Sequence, residues 1–167
     1  QFRRQRQMCI RDRYLIANWE VLSRILPYKT DAGSGSLEQM ALAEFCKENF
    51  NSHVKTIKNK LQKKSEAICN ALDKYFGSSA EYKKPDGGIF VWVDMHKKVD
   101  TSRLYELALK DGVAINPGNE WSINKSGRHK MRLCFGNPSI KEIDEGIKRL
   151  AIICRKEFGI PTKIANL

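Results

Sequence analysis

The stretch "IFVWVDM", residues 89–95, decides the fold of this chain because it is its clearest β-type segment. Its residues are β-branched or aromatic, and two sets of side chains alternate along it. The sets are Ile89, Val91 and Val93 on one side and Phe90 and Trp92 on the other. Alternation of this kind predicts a strand with one buried face. "DGG" at residues 86–88 predicts a turn before it.

A second alternating stretch, "KMRLCF" at residues 130–135, predicts a strand of the same type. Its apolar set is Met131, Leu133 and Phe135, and its other set is Lys130, Arg132 and Cys134. After it, Ser139 and Glu142 form a capping box, which predicts the start of a helix. An amphipathic stripe follows the box: Ile140, Ile143, Ile147, Leu150, Cys154 and Phe158.

Between and before these strands the sequence predicts shorter elements. It predicts a strand in "EYKKP" (81–85), a helix from Asp100 or Thr101, a strand in "GVAI" (112–115) and a loop in "NPGNEW" (116–121). Near the start, "YLIA" (14–17) predicts a buried strand, and Asn18 an N-cap for a helix that Pro27 closes. Two further helices are expected, one through "SLEQMALAEFCKEN" and a long one from Asn51 or Ser52 to about Tyr75.

The order of elements, helices first and then β-β-α-β-β-α, indicates an α+β fold. We expect a small lobe with a mixed or antiparallel sheet and helices, reached by a long helix. With 41% hydrophobic and 29% charged residues, the composition is that of an ordinary globular protein. No run reaches the about 18 apolar residues that a membrane helix needs, so no membrane partner is expected.

The five cysteines are odd in number, widely spaced and without a C-x-x-C motif: Cys9, Cys46, Cys69, Cys134 and Cys154. This usage argues against a disulfide framework or a structural metal site, and it favours the reducing cytoplasm. The net charge of +11 has two main sources. Residues 1–13 hold five arginines against one aspartate, and a lysine-rich stretch runs through residues 53–75.

A basic balance suits nucleic acid, but a solvated lysine face on a helix is the commoner explanation. The chain has no recognisable helix-turn-helix, RRM or zinc pattern, so a nucleic-acid partner is not expected. Among single residues, Arg132 is the most informative, because it lies in mid-strand between apolar neighbours. Either it lies on the solvent face of the strand, or it points into a cleft and holds a carboxylate with two parallel hydrogen bonds.

Four motifs, taken together, resemble the C-terminal lobe of the class I/II aminotransferases, the fold-type I pyridoxal-phosphate enzymes. They are "PDGGIFVW", "GVAINPG", "MRLCF" and "IDEGIKRL", in the family's order and register. The likeness is greatest to the branch of 2-aminoadipate and kynurenine aminotransferases and MocR-type regulators. Upstream, "YLIANWEVLSRI" and "SGSLEQMALAEF" resemble the segment after the cofactor lysine and the interdomain helices. The resemblance covers about residues 14–158.

The resemblance implies a role for several residues. Arg132 matches the family's arginine for the substrate α-carboxylate, and Gly87 and Gly88 match glycines that bring backbone close to the edge of the active site. Asn119 and Trp121 match a loop near the substrate entrance. The cofactor would be pyridoxal 5'-phosphate, the substrates an amino acid and a 2-oxo acid, and the parent protein a homodimer. No metal is implied.

The family's Schiff-base lysine, in an S-x-S-K segment, would fall within residues 1–13, which contain no lysine. The resemblance therefore implies a fragment that lacks most of the α/β cofactor lobe and is inactive alone. "RQRQMCIRDR" looks like a translated adapter, so Tyr14 is the expected first native residue. The expected domains are a non-native head (1–13), the end of the large domain (14–50), the interdomain helix (51–76) and the small domain (77–167).

Two other functions stay open at this point. The same fold serves as the effector-sensing lobe of MocR-type regulators, where it binds a ligand without catalysis. A basic nucleic-acid-binding module is the third alternative. Which amino acid donates the amino group is not specified by these residues.

Overall fold

The computed structural model describes residues 15–30, 35–122 and 126–163 of the chain. The expected non-native head and Tyr14 lie outside these residues. The chain divides into two compact units, with the boundary between Val54 and Lys55. Both alternating segments, residues 89–95 and 130–135, belong to the second unit.

The first unit contains the helix α1, Trp19–Ile25, a 3-10 turn at Leu26–Tyr28, and the first part of the helix α2, Ser36–Tyr75. Asn18 caps α1 as expected, because its side-chain oxygen accepts a hydrogen bond from the Val21 N–H at 3.1 Å. No described residue of this unit is buried.

The predicted break between two helices at Asn51 or Ser52 is wrong, since α2 is a single helix of 40 residues. The Ser52 hydroxyl donates to the Asn49 carbonyl oxygen of the preceding turn at 3.0 Å, a bond that a serine inside a helix can make. No glycine or proline occurs between Ser36 and Tyr75, so the sequence contains no residue that breaks a helix there.

The second unit contains the rest of α2 and the four-stranded sheet. Its strands are β1 (Ala80–Tyr82), β2 (Phe90–Met95), β3 (Asn116–Pro117) and β4 (Lys130–Cys134). Its helices are α3 (Thr101–Lys110) and α4 (Ile140–Phe158), with 3-10 turns at Gly77–Ser79 and Gly118–Trp121. The strand order is β1-β2-β4-β3, and all neighbours are antiparallel.

The helix starts of this unit agree with the sequence. Asp100 caps α3 through hydrogen bonds from the Ser102 and Arg103 N–H groups. The capping box of α4 is complete, because Ser139 and Glu142 each accept the other's backbone N–H. The expected α+β organisation, an antiparallel sheet with helices, is therefore confirmed.

Two predicted strands are not present among the described residues. Leu15–Ala17, in the predicted "YLIA" strand, pair with no described strand. Val113–Ile115, in "GVAI", also lack a partner, and the pairing with β4 begins only at Asn116 and Pro117. A β-type composition makes a strand only where a neighbouring strand supplies hydrogen bonds, and here none is described.

One hydrophobic core lies in the second unit, formed by the inward face of the sheet with α2, α3 and α4. Its fully buried large side chains are Leu72, Phe76, Val91, Val93, Val99, Leu104, Met131, Phe135, Leu150, Cys154 and Ile160. Burial raises the pKa of the Cys154 thiol to about 12, so it stays protonated and behaves as a small apolar side chain.

Candidate functional site

The outward face of β2 and β4 carries the predicted site. In the register of these strands Phe90 pairs with Cys134, Trp92 with Arg132, and Asp94 with Lys130. Their side chains share one face, because residues two apart in a strand point the same way. The intervening pairs, Val91 with Leu133 and Val93 with Met131, belong to the buried face.

Arg132 lies at the centre of this outward face and is half-buried. Its guanidinium carbon lies 4.1 Å from the centre of the Phe90 ring and 3.8 Å from the centre of the Trp121 ring. Phe90 is the first residue of β2, and Trp121 is the last residue of the 3-10 turn Gly118–Trp121. Three separate elements thus bring the cation and two aromatic rings into contact.

The Arg132 Nε–H is buried and has no hydrogen-bond partner among the described residues. A buried donor without a partner costs about 1–3 kcal/mol, and native proteins avoid such groups unless a ligand or water satisfies them. The described residues also supply no carboxylate in an ion pair with Arg132, because Asp94 on the same face pairs with Lys130 at 2.9 Å and His129 at 3.3 Å. The site therefore has a positive charge and an N–H donor that no described residue uses.

Asn119 contributes a second unsatisfied group, since its Oδ1 is buried and accepts no hydrogen bond from any described residue. It lies in the same 3-10 turn as Trp121. This turn begins at Gly118, where a Cβ would lie 2.5 Å from the Gly127 carbonyl oxygen and 2.7 Å from that of Lys130. Only glycine allows the turn to pack this closely against the residues leading into β4.

Gly87 and Gly88 lie in the bend before β2. Gly88 has φ of +77°, a conformation that favours glycine, which explains the residue without any ligand. A Cβ at either position would meet no described atom within 4 Å. Their role at the edge of the active site therefore stays a prediction, and the residue of this segment that reaches Arg132 is Phe90.

Sequence reasoning missed two contributors to the site, Phe90 and Gly118. Phe90 could have been found by aligning the two alternating strands, since the pattern places Phe90 and Arg132 on one face. Gly118 was interpreted only as part of an unspecific Pro-Gly turn. Its close approach to Gly127 and Lys130 depends on residues distant in sequence.

The positive charge of Arg132 suits an anionic group such as a carboxylate, and the side chains that contact it do not suit a covalently bound aldehyde. Phe90, Asn119, Trp121 and Arg132 include no primary amine that could form a Schiff base. Nor does the described part of the chain bring together three metal-binding side chains of the His, Cys, Asp or Glu type. Among the described helices, none is long and apolar enough to span a membrane.

Comparison with known proteins identifies the family. The model of the family described as "Aminotransferase class I and II" matches residues 13–150. The 2-aminoadipate transaminase of Thermus thermophilus is 29% identical over 143 residues, which are 84% of this chain and 36% of that protein. An uncharacterised aminotransferase of Saccharolobus solfataricus is 31% identical over 87% of this chain and 37% of its own length.

A regulator is similar to the same degree. The uncharacterised HTH-type transcriptional regulator YisV of Bacillus subtilis is 32% identical over 81% of this chain and 28% of its own length. The chain thus spans about a third of the length of the curated relatives it matches.

Solved structures agree with the sequence comparison. The α-aminoadipate aminotransferase LysN of Thermus thermophilus, complexed with N-(5'-phosphopyridoxyl)-L-leucine, superposes with a TM-score of 0.73 at 29% identity, covering 84% of this chain and 37% of that one. The Pyrococcus horikoshii kynurenine aminotransferase gives a TM-score of 0.61 at 31% identity, over 66% of this chain and 27% of that one. The chain therefore belongs to the class I and II aminotransferases, a family of pyridoxal-phosphate-dependent proteins with the fold-type I lobe.

Proposed function

We propose that this chain supplies the carboxylate-binding part of an aminotransferase that moves an amino group between an α-amino acid and a 2-oxo acid. Arg132 would bind the substrate α-carboxylate. The observation that carries the proposal is the buried, unpartnered Nε–H of Arg132, whose guanidinium contacts the rings of Phe90 and Trp121. Family membership supports it, as does the position of Arg132 in the "MRLCF" motif.

The physical case is that a guanidinium presents several N–H donors in one plane, which match the two oxygens of a carboxylate. Two parallel hydrogen bonds fix the direction of the carboxylate as well as its position. An amino acid held in this way has the bonds to its α-carbon fixed in orientation, which is what selective bond cleavage requires. Pyridoxal phosphate, when bound, supplies the electron sink for such chemistry.

Asn119, Trp121, Gly87 and Gly88 would complete the substrate side of the site. Trp121 covers Arg132 directly. The unsatisfied Asn119 Oδ1 is an acceptor, so it suits a donor group of the ligand. Gly87 and Gly88 would leave the edge of the site open, because a Cβ there would meet nothing described.

We also propose that the chain alone does not transaminate, because residues 1–13 contain no lysine in the place of the family's S-x-S-K segment. In a homodimeric parent with the complete active site, Arg132→Lys should raise the KM for the amino acid at least about tenfold, because a lysine cannot form the planar pair. It should leave the absorbance of the bound cofactor unchanged. An unchanged KM would show that Arg132 is an ordinary surface residue.

Binding by the 167-residue chain can be tested directly with L-leucine as the probe and L-leucinamide as its matched control. Leucine carries the carboxylate and leucinamide does not. We expect the chain to bind leucine more tightly than leucinamide, and Arg132→Gln to abolish the difference. Equal binding of the two compounds, or full leucine binding by Arg132→Gln, would contradict the proposal.

A second candidate function is the effector-sensing lobe of a MocR-type regulator. Three of the curated relatives favour it, because YisV, YdfD and NorG are described as HTH-type transcriptional regulators. In both functions Arg132 would bind a carboxylate, so leucine binding does not distinguish between them. The upstream coding sequence does: an S-x-S-K segment without a DNA-binding domain supports the enzyme, and a winged-helix domain supports the regulator.

The compartment is proposed from cysteine usage. The cysteines in the described part of the chain, Cys46, Cys69, Cys134 and Cys154, are free thiols. Free thiols of this number are usual in a reducing environment, so we place the protein in the cytoplasm.

A further inference from the structure

We propose that Phe90 is a positioning residue, whose ring holds the guanidinium of Arg132 in the orientation that receives the carboxylate. This inference rests on the proposed function of Arg132. According to this inference, carboxylate binding depends on Phe90 of the neighbouring strand as well as on Arg132 itself.

The distances determine how the rings lie on the guanidinium. Both ring centres lie about 4 Å from the guanidinium carbon. A ring in the plane of the cation could not approach so closely, because the N–H hydrogens would collide with it, so each ring stacks over a face. Both rings therefore lie against the guanidinium, and its Nε–H is buried without a described hydrogen-bond partner.

Phe90 can hold this position because its backbone is fixed in the sheet. It pairs with Cys134 in the register, so it lies diagonally across from Arg132. The preceding carbonyl, that of Ile89, accepts a hydrogen bond from the Phe135 N–H at 2.9 Å. The Ile89 side chain also packs against Gly136, where a Cβ would lie 3.0 Å from it. Phe90 is thus part of a rigid strand, whereas Trp121 belongs to a short turn.

The arrangement has two consequences for binding. An arginine side chain samples many rotamers when it is free, and stacking restricts it before the ligand arrives, so less conformational entropy is lost on binding. The rings also exclude water from the parts of the cation that they cover, which strengthens its interaction with a carboxylate. Phe90 acts through Arg132 and would not touch the reacting atoms.

Trp92 provides a matched control on the same strand. It lies directly opposite Arg132 in the register and is 40% exposed, close to the 37% of Phe90. Yet in the described part of the chain the rings that stack on the guanidinium are those of Phe90 and Trp121. Comparison of Phe90 and Trp92 variants therefore separates loss of the ring that contacts the guanidinium from loss of any aromatic residue next to Arg132.

The test compares Phe90→Leu, Phe90→Tyr and Trp92→Leu in the 167-residue chain, with leucine as the probe. We expect Phe90→Leu to weaken leucine binding about fivefold to twentyfold, and Trp92→Leu to change it less than about twofold. Phe90→Tyr should bind like the wild type, since its ring can stack equally well. As a second readout, hydrogen exchange of the Arg132 Nε–H should accelerate in Phe90→Leu alone. Because Phe90 is partly exposed, the substitutions should not unfold the chain, and a circular dichroism spectrum checks this.

Equal effects of Phe90→Leu and Trp92→Leu would overturn the inference, as would Phe90→Leu with wild-type binding and exchange. Phe90→Met, which keeps the size but removes the π-system, repeats the test if the leucine variant folds poorly. Failure of the proposal that Arg132 binds a carboxylate can be distinguished from failure of the inference about Phe90, because it is tested by Arg132→Gln. If that variant binds leucine like the wild type, the carboxylate site itself is refuted, whatever the Phe90 variants do.

Discussion

Met131 and Arg132 are neighbours on β4, but they lie on opposite faces of the sheet. Met131 is fully buried against the core and pairs with Val93, whereas Arg132 pairs with Trp92 on the outward face. The inward face is apolar and closely packed. The outward face keeps a buried N–H without a described partner. The difference teaches that adjacent residues of one strand can serve different ends: Met131 packs in the core, and Arg132 is the residue proposed to bind a ligand.

The largest expected effect tests the inward face. Met131→Ala removes most of a side chain from a packed core, so we expect the free energy of unfolding to fall by about 2–5 kcal/mol. Urea denaturation followed by circular dichroism measures it. A loss below about 1 kcal/mol would mean that the inward face does not carry the stability of this unit.

A smaller loss of stability is expected from a change in α4, which packs in the same hydrophobic core as the inward face of the sheet. Ser139 caps this helix by accepting the Glu142 N–H at 3.3 Å. Ser139→Ala should lower the free energy of unfolding by about 1 kcal/mol. Ser139→Thr is the matched control and should keep most of the stability. If alanine and threonine destabilise the protein equally, the cap is not the cause.

The free energy of unfolding should depend on pH through a contact between α4 and α2. The Tyr75 hydroxyl donates to the Asp144 carboxylate at 2.8 Å, and Lys74 lies 3.2 Å away; together they hold the pKa of Asp144 below its usual value. A carboxyl with a lowered pKa in the folded state stabilises the protein above its unfolded pKa of about 4. This contribution is lost as the pH falls through the folded pKa.

Asp144→Asn should therefore lower the free energy of unfolding at about pH 7 by less than about 1 kcal/mol, since the side chains of Lys74 and Asp144 are about half exposed and solvent screens their interaction. The difference from the wild type should shrink between about pH 7 and about pH 2, as the pH falls through the folded pKa and Asp144 becomes neutral like the asparagine. Urea denaturation at the two pH values measures this. A difference that persists unchanged in acid would assign it to packing and not to charge.

The smallest effect on stability is expected on the outward face. Arg132→Gln should change the free energy of unfolding by no more than about 0.5 kcal/mol, because loss of the contacts with the two rings is offset by removal of the buried, unpartnered donor. Urea denaturation beside Met131→Ala provides the comparison. A loss as large as that of Met131→Ala would remove the distinction between the two faces.

Much of the second unit, Lys55–Leu167, could be predicted from sequence because local patterns determine its secondary structure. The alternation in residues 89–95 and 130–135 predicted two strands, and the caps at Asp100 and Ser139 followed from short-range chemistry. The helix break at Asn51 or Ser52 was wrong because a cap residue inside a helix can bond back to the preceding turn.

The unpredicted features depend on pairing between distant segments. "GVAI" has strand composition, but Val113–Ile115 pair with no described strand, so composition alone misplaced β3. Arg132 was identified from its motif, whereas its stack on Phe90 depends on the register of β2 against β4. Alternation shows which residues of one strand share a face, but the register is needed to know which residues of two strands are neighbours.

The central claim is that Arg132 binds a carboxylate, and the Nε–H signal of Arg132 in a nitrogen–proton NMR spectrum tests it most directly. The signal is assigned by its loss in Arg132→Gln. On titration of the 167-residue chain with L-leucine, the Nε proton should shift downfield and reach saturation, because it gains a charged acceptor. L-leucinamide should leave it in place. A signal that leucine does not move, or that leucinamide moves equally, would contradict the account.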